Sequence, residues 1–437
     1  MSAPTLPDAP LVDDIPALVE LPPSRRHRVT TGVTFVVVGV LTGWLLGFGS
    51  HAGYKARFGL SATGSAHPLT LTLPARATVL VLAAVVVAIG VWQIAHGLSR
   101  RGMRWAVGVT VFAVAASFLV WSCTGTPDTS IDLLGLLQNT IFLAVPLILG
   151  SLSGIVCERS AVINVAIEGQ MLTGAFMGAL FASITANLGL GVLAAVLSGA
   201  LMGALLAVFA IRYLVNQVVL GVVINTLALG LTGFLYDAFM AQNANTYNNP
   251  GNFPPIRLPL LGDIPVIGPL FFDANILVYA TYVLVVLVDV WLFRTRWGLR
   301  TRAVGEHPEA ADTMGINVIA TRYRNVIIGG MFAGLAGAYL TVGSVGQFEK
   351  NMSAGKGFIA LAAVIFGRWN PRGALGAALL FGFTEALQTV LTIIGTPVSI
   401  PSAFLSMLPY LATIFAVAGL VGHSRAPAAD GVPYVKE

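Results

Sequence analysis

Charge is what this chain has least of. Asp, Glu, Lys and Arg make up 10% of its 437 residues, against roughly 25% in an ordinary soluble domain. The deficit argues against a water-soluble globular enzyme. Cysteine is also scarce: Cys123 and Cys157 are the only two, and the topology read below sets them near opposite faces of a membrane, so neither a disulfide nor a metal site is expected. The sequence has no GxxxxGK[ST] phosphate loop, and its apolar runs hold no His pair with metal spacing and no Ser, His and Asp set. An enzyme is therefore disfavoured, no cofactor is expected, and any energy for work must come from a partner or an ion gradient.

Hydrophobicity is abundant instead. Apolar side chains make up 56% of the residues and the mean hydropathy is +0.83. Repeated apolar runs of about 20 residues, each able to cross roughly 30 Å of hydrocarbon as a helix, predict an all-α polytopic membrane protein with about 10–12 transmembrane helices. The spans read as 29–49, 77–97, 103–123, 133–156, 162–184, 189–211, 218–241, 276–293, 325–343, 374–394 and 403–421. A piece at 358–367 has about ten apolar residues, so it is half a broken helix, a re-entrant segment or the visible part of a tilted one.

Lys and Arg set the orientation. With the N-terminus inside and every run crossing, basic residues favour the cytoplasmic side by about three to one, which accounts for the net charge of +5 without a nucleic-acid ligand. The Pro- and Asp-rich stretch 1–28 reads as a disordered cytoplasmic tail rather than a cleaved signal peptide. The expected organisation is that tail, additional N-terminal transmembrane helices over 29–130, a core over 131–422 and a C-terminal tail over 423–437.

Two connections are long. The segment 242–275 is outside, dense in Asn and Pro, and reads as a compact ordered lid. The segment 294–324, "RTRWGLRTRAVGEHPEAADTMGINVIATRYR", is inside and more charged than any other stretch. Within it Pro308 suits the first turn of a helix, Glu309 its positive end and Gly315 the position just past its end, predicting about two turns, roughly 10 Å, at the cytoplasmic face. Such an element is either a solvated turn or a docking helix for a soluble partner.

Polar residues inside the spans are the remaining candidates. A helix continuous from Ser160 would carry Glu168 about 12 Å inward, where an ionisable group usually faces a bundle interior or a wet cavity. The same carboxyl could equally serve as an interhelical clamp. Asn164, Asn225 and Gln388 read as interhelical bonds or pathway groups, and Glu385 as a second pathway carboxylate. Phe176 and Phe358 are either packing residues or stacking faces for a flat ring. Glu158 and Arg159 fall at the cytoplasmic end of a span, as structural polar residues or an inner gate. With no basic residue read at midplane, a neutral polar substrate fits better than an anion.

Several ordered motifs carry a resemblance. The segment 294–324, "GGMFAGLAGAYL" and "GKGFIALAAVIFGRWNPRGALGAALLFG" resemble permeases of the branched-chain amino acid, ribose and nucleoside ABC importer superfamily. "CERSAVINVAIEGQMLTGAF" and "NQVVLGVVINTLALGLTGFLY" resemble its nucleoside branch, although Cys157 stands where Gly is usual and Gln170 where Met is more common. The similarity covers roughly 133–421.

The resemblance implies a multi-pass permease in a prokaryotic plasma membrane, with its N-terminus cytoplasmic. It would pair with a second permease or with itself, sit on a cytoplasmic ABC ATPase and receive nucleosides from an extracytoplasmic binding lipoprotein. Coupling to the ATPase then falls on Gly305, Glu306, His307, Pro308, Glu309, Ala310, Ala311, Asp312 and Gly315. The substrate pathway falls on Asn164, Glu168, Gln170, Phe176, Asn225, Phe358 and Glu385. A ribose-like sugar or a branched-chain amino acid would use the same architecture, and an ion-coupled carrier is the alternative of a different class.

Overall fold

The computed structural model describes residues 25–50, 53–60, 69–125, 130–398, 400–411 and 425–436. Among them ten helices are long and apolar enough to cross a membrane, and the chain is an all-α polytopic membrane protein. Most of the expected tail at 1–28 and the end of the expected span 403–421 lie outside the described residues.

The chain divides into two compact units. The first comprises Met1–Arg57, Thr72–Ser130 and Gly395–Val398 and contains α1 (Arg25–Thr42), α2 (Ala75–Ala95) and α3 (Arg100–Ser122). Helices α1 and α2 meet through small residues: a Cβ added at Gly90 would lie 2.7 Å from the Gly32 carbonyl oxygen, so only glycine permits this approach. The buried Gln93 amide donates to Thr31 Oγ1 at 3.2 Å and accepts from the Leu98 backbone N–H at 2.7 Å. Val33, Val37 and Leu41 on α1 and Val81, Val85 and Trp92 on α2 are exposed, as suits helices bathed in lipid.

The second unit comprises Phe58–Leu71, Ile131–Ile394 and Ser399–Glu437. Its axis is α4 (Leu133–Glu158), whose most apolar window is 89% buried, against 28% for α2 of the first unit. Asp132 caps α4 by accepting from the Gly135 N–H. Around α4 stand α5 (Ile167–Thr185), α6 (Leu188–Ala207), α7 (Gln217–Leu235), α10 (Ile276–Arg294), α13 (Val318–Leu340), α14 (Lys356–Phe366) and α15 (Pro371–Ile394). Helix α13 packs on α4, α5 and α6. A Cβ at Gly174 of α5 would sit 2.5 Å from the Gly334 carbonyl oxygen of α13, so these backbones touch.

Short elements fill the connections. Segment 242–275 is ordered, with single helical turns α8 (Ala244–Tyr247) and α9 (Ile267–Phe271) and an antiparallel pair, Ile256–Arg257 with Asp273–Ala274. Segment 294–324 holds α11 (Arg296–Glu306) and α12 (Pro308–Thr313), with Pro308 in the first turn and Gly315 at φ +78° beyond the end. Residues Ser402–Leu405 form α16.

One expectation is corrected. The helix drawn from Ser160 through Glu168 does not exist: α4 ends at Glu158, the chain turns at Ala161 with φ +67°, and α5 begins at Ile167. The reason lies on α7. Gln217 Oε1 accepts from the Ile163 N–H at 2.7 Å, Asn225 Nδ2 donates to the Val165 carbonyl at 2.9 Å and Asn225 Oδ1 accepts from the Gly169 N–H at 2.8 Å. Amide side chains thus satisfy backbone groups that a helix would have satisfied itself, which lets the chain break within an apolar unit.

Candidate functional site

Glu168 therefore sits in the first turn of α5, 8% exposed. Its Oε1 accepts from Ser353 Oγ at 2.6 Å and the Gly355 N–H at 2.8 Å, and its Oε2 accepts from the Gly357 N–H at 2.6 Å. The carboxylate caps the start of α14, where unpaired N–H groups and the helix dipole favour negative charge. A Cβ at Gly357 would lie 2.5 Å from Glu168 Cα, so this contact requires glycine there, while Gly355 is favoured by its φ of +86°. Three hydrogen bonds to a charged group, each worth about 1.5–3 kcal/mol, make a clamp between α5 and α14.

Lys356, between those glycines, points to another carboxylate. Its Nζ lies 2.6 Å from Glu385 Oε1 on α15, with side-chain exposures of 15% and 29%. Sequence patterning predicts no basic residue at midplane. The fold sets Lys356 against a span, where Glu385 balances its charge.

Asn164 and Gln170 form a separate knot, fully buried with Ser153. Asn164 Nδ2 donates to Gln170 Oε1 at 3.0 Å, Ser153 Oγ at 3.1 Å and Cys157 Sγ at 3.6 Å. Asn164 Oδ1 and Gln170 Nε2 have no partner among the described residues. Phe176 is 2% exposed and meets Phe348 and Phe239 edge-on, at centroid distances of 5.2 and 6.3 Å. Phe358 is 49% exposed. The fold thus gathers Glu168, Glu385 and Phe358 at the start of α14, brings Asn225 to the Glu168 turn, and places Phe176 in an aromatic cluster.

Glu158 and Arg159 both hold Trp369, in the turn between α14 and α15. The Glu158 carboxylate accepts from Trp369 Nε1, and Arg159 Nε donates to the Trp369 carbonyl at 2.9 Å. The Arg159 and Arg302 guanidinium groups stand over the Phe293 ring at 5.7 and 5.2 Å. Burial lowers the Arg159 pKa below the usual guanidinium value; Glu306 opposes this and Arg302 adds to it.

The C-terminal segment was read only as a tail, yet residues 425–436 strap across α11 and α12. The Ala429 N–H donates to the Gly305 carbonyl at 2.9 Å and the Ala428 N–H to Glu306 Oε2 at 3.2 Å. Arg322 Nη1 donates to the Val432 carbonyl at 3.1 Å, and Lys436 pairs with Asp312 at 3.2 Å. Gly431 packs on Ile163 of the broken turn. Burial raises the Asp430 pKa to about 7, against the Gly431 N–H and the Arg322 charge. Asp430 Oδ1 and Arg322 Nε and Nη2 have no partner among the described residues.

Ser353, Lys356, Gln217, Trp369, Arg322 and Asp430 escaped the sequence reading. Only the paired glycines around Lys356 carried a local signal, since the other contacts join residues far apart in the chain.

A broken turn held by amides, a short clamped helix and a two-turn helical knob between spans belong to a multi-pass helical membrane protein. Residues 136–417 match the family described as branched-chain amino acid transport system / permease component, and the chain belongs to that family. It is 44% identical over 307 residues, 68% of this chain and 95% of the relative, to the guanosine ABC transporter permease protein NupQ of Bacillus subtilis (strain 168). It is 40% identical over 308 residues, 69% of this chain and 96% of the relative, to the nucleoside ABC transporter permease protein NupC of Lactococcus lactis subsp. cremoris (strain MG1363). The putative glucose ABC transporter permease protein TsgC13 of Haloferax volcanii is 37% identical over 258 residues, 58% of this chain and 77% of the relative. No solved structure matches.

Proposed function

We propose that this chain is the transmembrane permease subunit of an ATP-driven importer of nucleosides. The observation that carries the reading is the likeness, over nearly their whole length, to two permeases named for guanosine and nucleosides. The subunit hydrolyses nothing itself. It pairs with a second permease, rests on a cytoplasmic ABC ATPase and receives solute from an extracytoplasmic binding lipoprotein.

The excess of basic residues supports a cytoplasmic side for the N-terminus and α12. There α12, with Gly305, Glu306, His307 and Gly315 around it, docks on the ATPase, presenting Glu309, Ala310 and the exposed Met314. Movement of α12 reaches Trp369 through Glu306 and the neighbouring Arg159, so the Glu158–Trp369–Arg159 contact acts as the inner gate. Asn164, Gln170 and Asn225 hold the broken turn that the gate moves, and Glu168 keeps α14 in register while it does.

The test is ATP-dependent uptake of labelled guanosine, ribose and leucine by the chain assembled with its partner subunits in vesicles. Guanosine uptake that needs ATP and survives an ionophore supports the reading. Preference for ribose or leucine would move the substrate within the same class. Uptake that collapses with the proton or sodium gradient and ignores ATP would replace the importer by an ion-coupled carrier.

A further inference from the structure

Glu385 stands 14 residues into α15, about 21 Å from one end of a spanning helix and about 14 Å from the other at 1.5 Å per residue. A charge at such a depth costs about 2.5–3.5 kcal/mol on insertion scales when it faces lipid. The pair it forms with Lys356 is also not sealed in the core, given exposures of 15% and 29%. The insertion cost disfavours lipid for a partly exposed ion pair at this depth.

The same helix face continues the pattern. Gln388, Thr389 and Thr392 follow Glu385 at i+3, i+4 and i+7, the spacing of one stripe. Gln388 is half-buried, and Thr389 and Thr392 are exposed. Each threonine hydroxyl donates to the carbonyl four residues back, at 3.0 Å for Thr389 and 2.8 Å for Thr392, leaving its oxygen free to accept from outside. The stripe is bordered by Ile393, 79% exposed, so α15 presents a polar strip beside an apolar edge, and the strip holds its mid-span carboxylate.

We propose that Lys356 with the α15 stripe Glu385, Gln388, Thr389 and Thr392 lines the aqueous solute route, and that the Lys356–Glu385 pair selects uncharged, hydroxyl- and amide-bearing solutes. The pair carries no net charge. When it opens it offers an ammonium donor and a carboxylate acceptor to opposite edges of a neutral solute, while a phosphate that takes the ammonium leaves Glu385 a part-buried carboxylate without its partner. Glu168 deepens this arrangement by fixing the backbone on both sides of Lys356 without competing for its ammonium. The inference rests on the importer reading, which assigns a polar solute to this chain.

The test uses the full-length chain in native membranes with its partners. Gln388→Cys and Thr392→Cys are treated with a hydrophilic thiosulfonate, with and without guanosine, ribose, leucine or guanosine monophosphate. Both positions react, and a neutral solute slows labelling at least about tenfold while the monophosphate does not. Lys356→Met and Glu385→Gln raise KM for uptake about tenfold with the maximal rate less affected, and the exchange Lys356→Glu with Glu385→Lys restores part of the loss. Cysteines that stay unreactive, or that cross-link to the second permease, would make this face a lipid or subunit contact and overturn the proposal. Protection by ribose or leucine in place of guanosine would leave the route standing and overturn the nucleoside reading alone.

Discussion

The clamp at the start of α14 and the strap over α11 and α12 both centre on carboxylates in an apolar chain, and they are finished differently. Glu168 is met by three donors within 2.8 Å. In the strap, Asp430 Oδ1 and two nitrogens of Arg322 are buried without a partner among the described residues. Two of the clamp's three donors are backbone N–H groups, whose positions follow from the helix itself, so it is rigid. Clamp and strap both join segments far apart in sequence, but the strap leaves Asp430 with a buried oxygen unmet, and desolvation raises its pKa. The first is scaffold, and the second is a joint.

The largest effect should come from breaking the clamp. Glu168→Ala leaves two buried donors, Ser353 Oγ and the Gly357 N–H, and the part-buried Gly355 N–H unmet, and at about 1–3 kcal/mol for each buried unsatisfied group the chain should lose at least ~2 kcal/mol and all uptake. Thermal unfolding of the purified protein checks this, and an unchanged melting temperature would show that the three bonds contribute little. Gly357→Ala attacks the same contact sterically and should cost about 1–3 kcal/mol, as overpacking does. Asn225→Ala removes two of the three side-chain bonds that hold the broken turn and the start of α5 to α7 and should cost about 1–3 kcal/mol.

Removing residues 425–437 breaks the other side of the comparison. The spans should keep their melting temperature, because the strap's bonds go chiefly to the segments that join them. ATP turnover should lose most of its dependence on solute, since Gly305, Glu306 and Asp312 lose their tether. A truncated chain that couples normally would make the strap a passive cover.

The most local effect is a pH dependence confined to the strap. The Asp430 pKa rises from an ordinary 3.8 to about 7 in the folded chain, so the docked segment holds more protons than the free one between those values. Docking is strongest below about pH 4, weakens as pH rises and levels off above about pH 7. Amide exchange at Ala428 and Ala429 reads this directly. Asp430→Asn should flatten the profile, and a profile unaffected by that change would assign the titration to the nearby Glu158.

Much of the architecture was legible before any coordinates. Apolar run lengths predicted the spans, and Pro308, Glu309 and Gly315 predicted α12 nearly to its ends, because these are local signals of composition and capping. The same local logic failed at residues 160–166. Nothing within that stretch forbids a helix; the bonds that unwind it come from Gln217 and Asn225, more than fifty residues away. Helix α11 was read as loop because a polar amphipathic helix at a membrane face lacks the apolar run that marks a span.

By itself the sequence determined that this is a helical membrane protein, roughly where most of its spans fall and which connection carries the charged knob. Those properties follow from the cost of exposing backbone and charge to hydrocarbon, which acts on every residue alone or with its neighbours. Only the tertiary structure decided that Glu168 caps α14, that Lys356 meets Glu385 and that the C-terminal residues bind α12. Each depends on which distant donor reaches a given acceptor, and that is settled by packing.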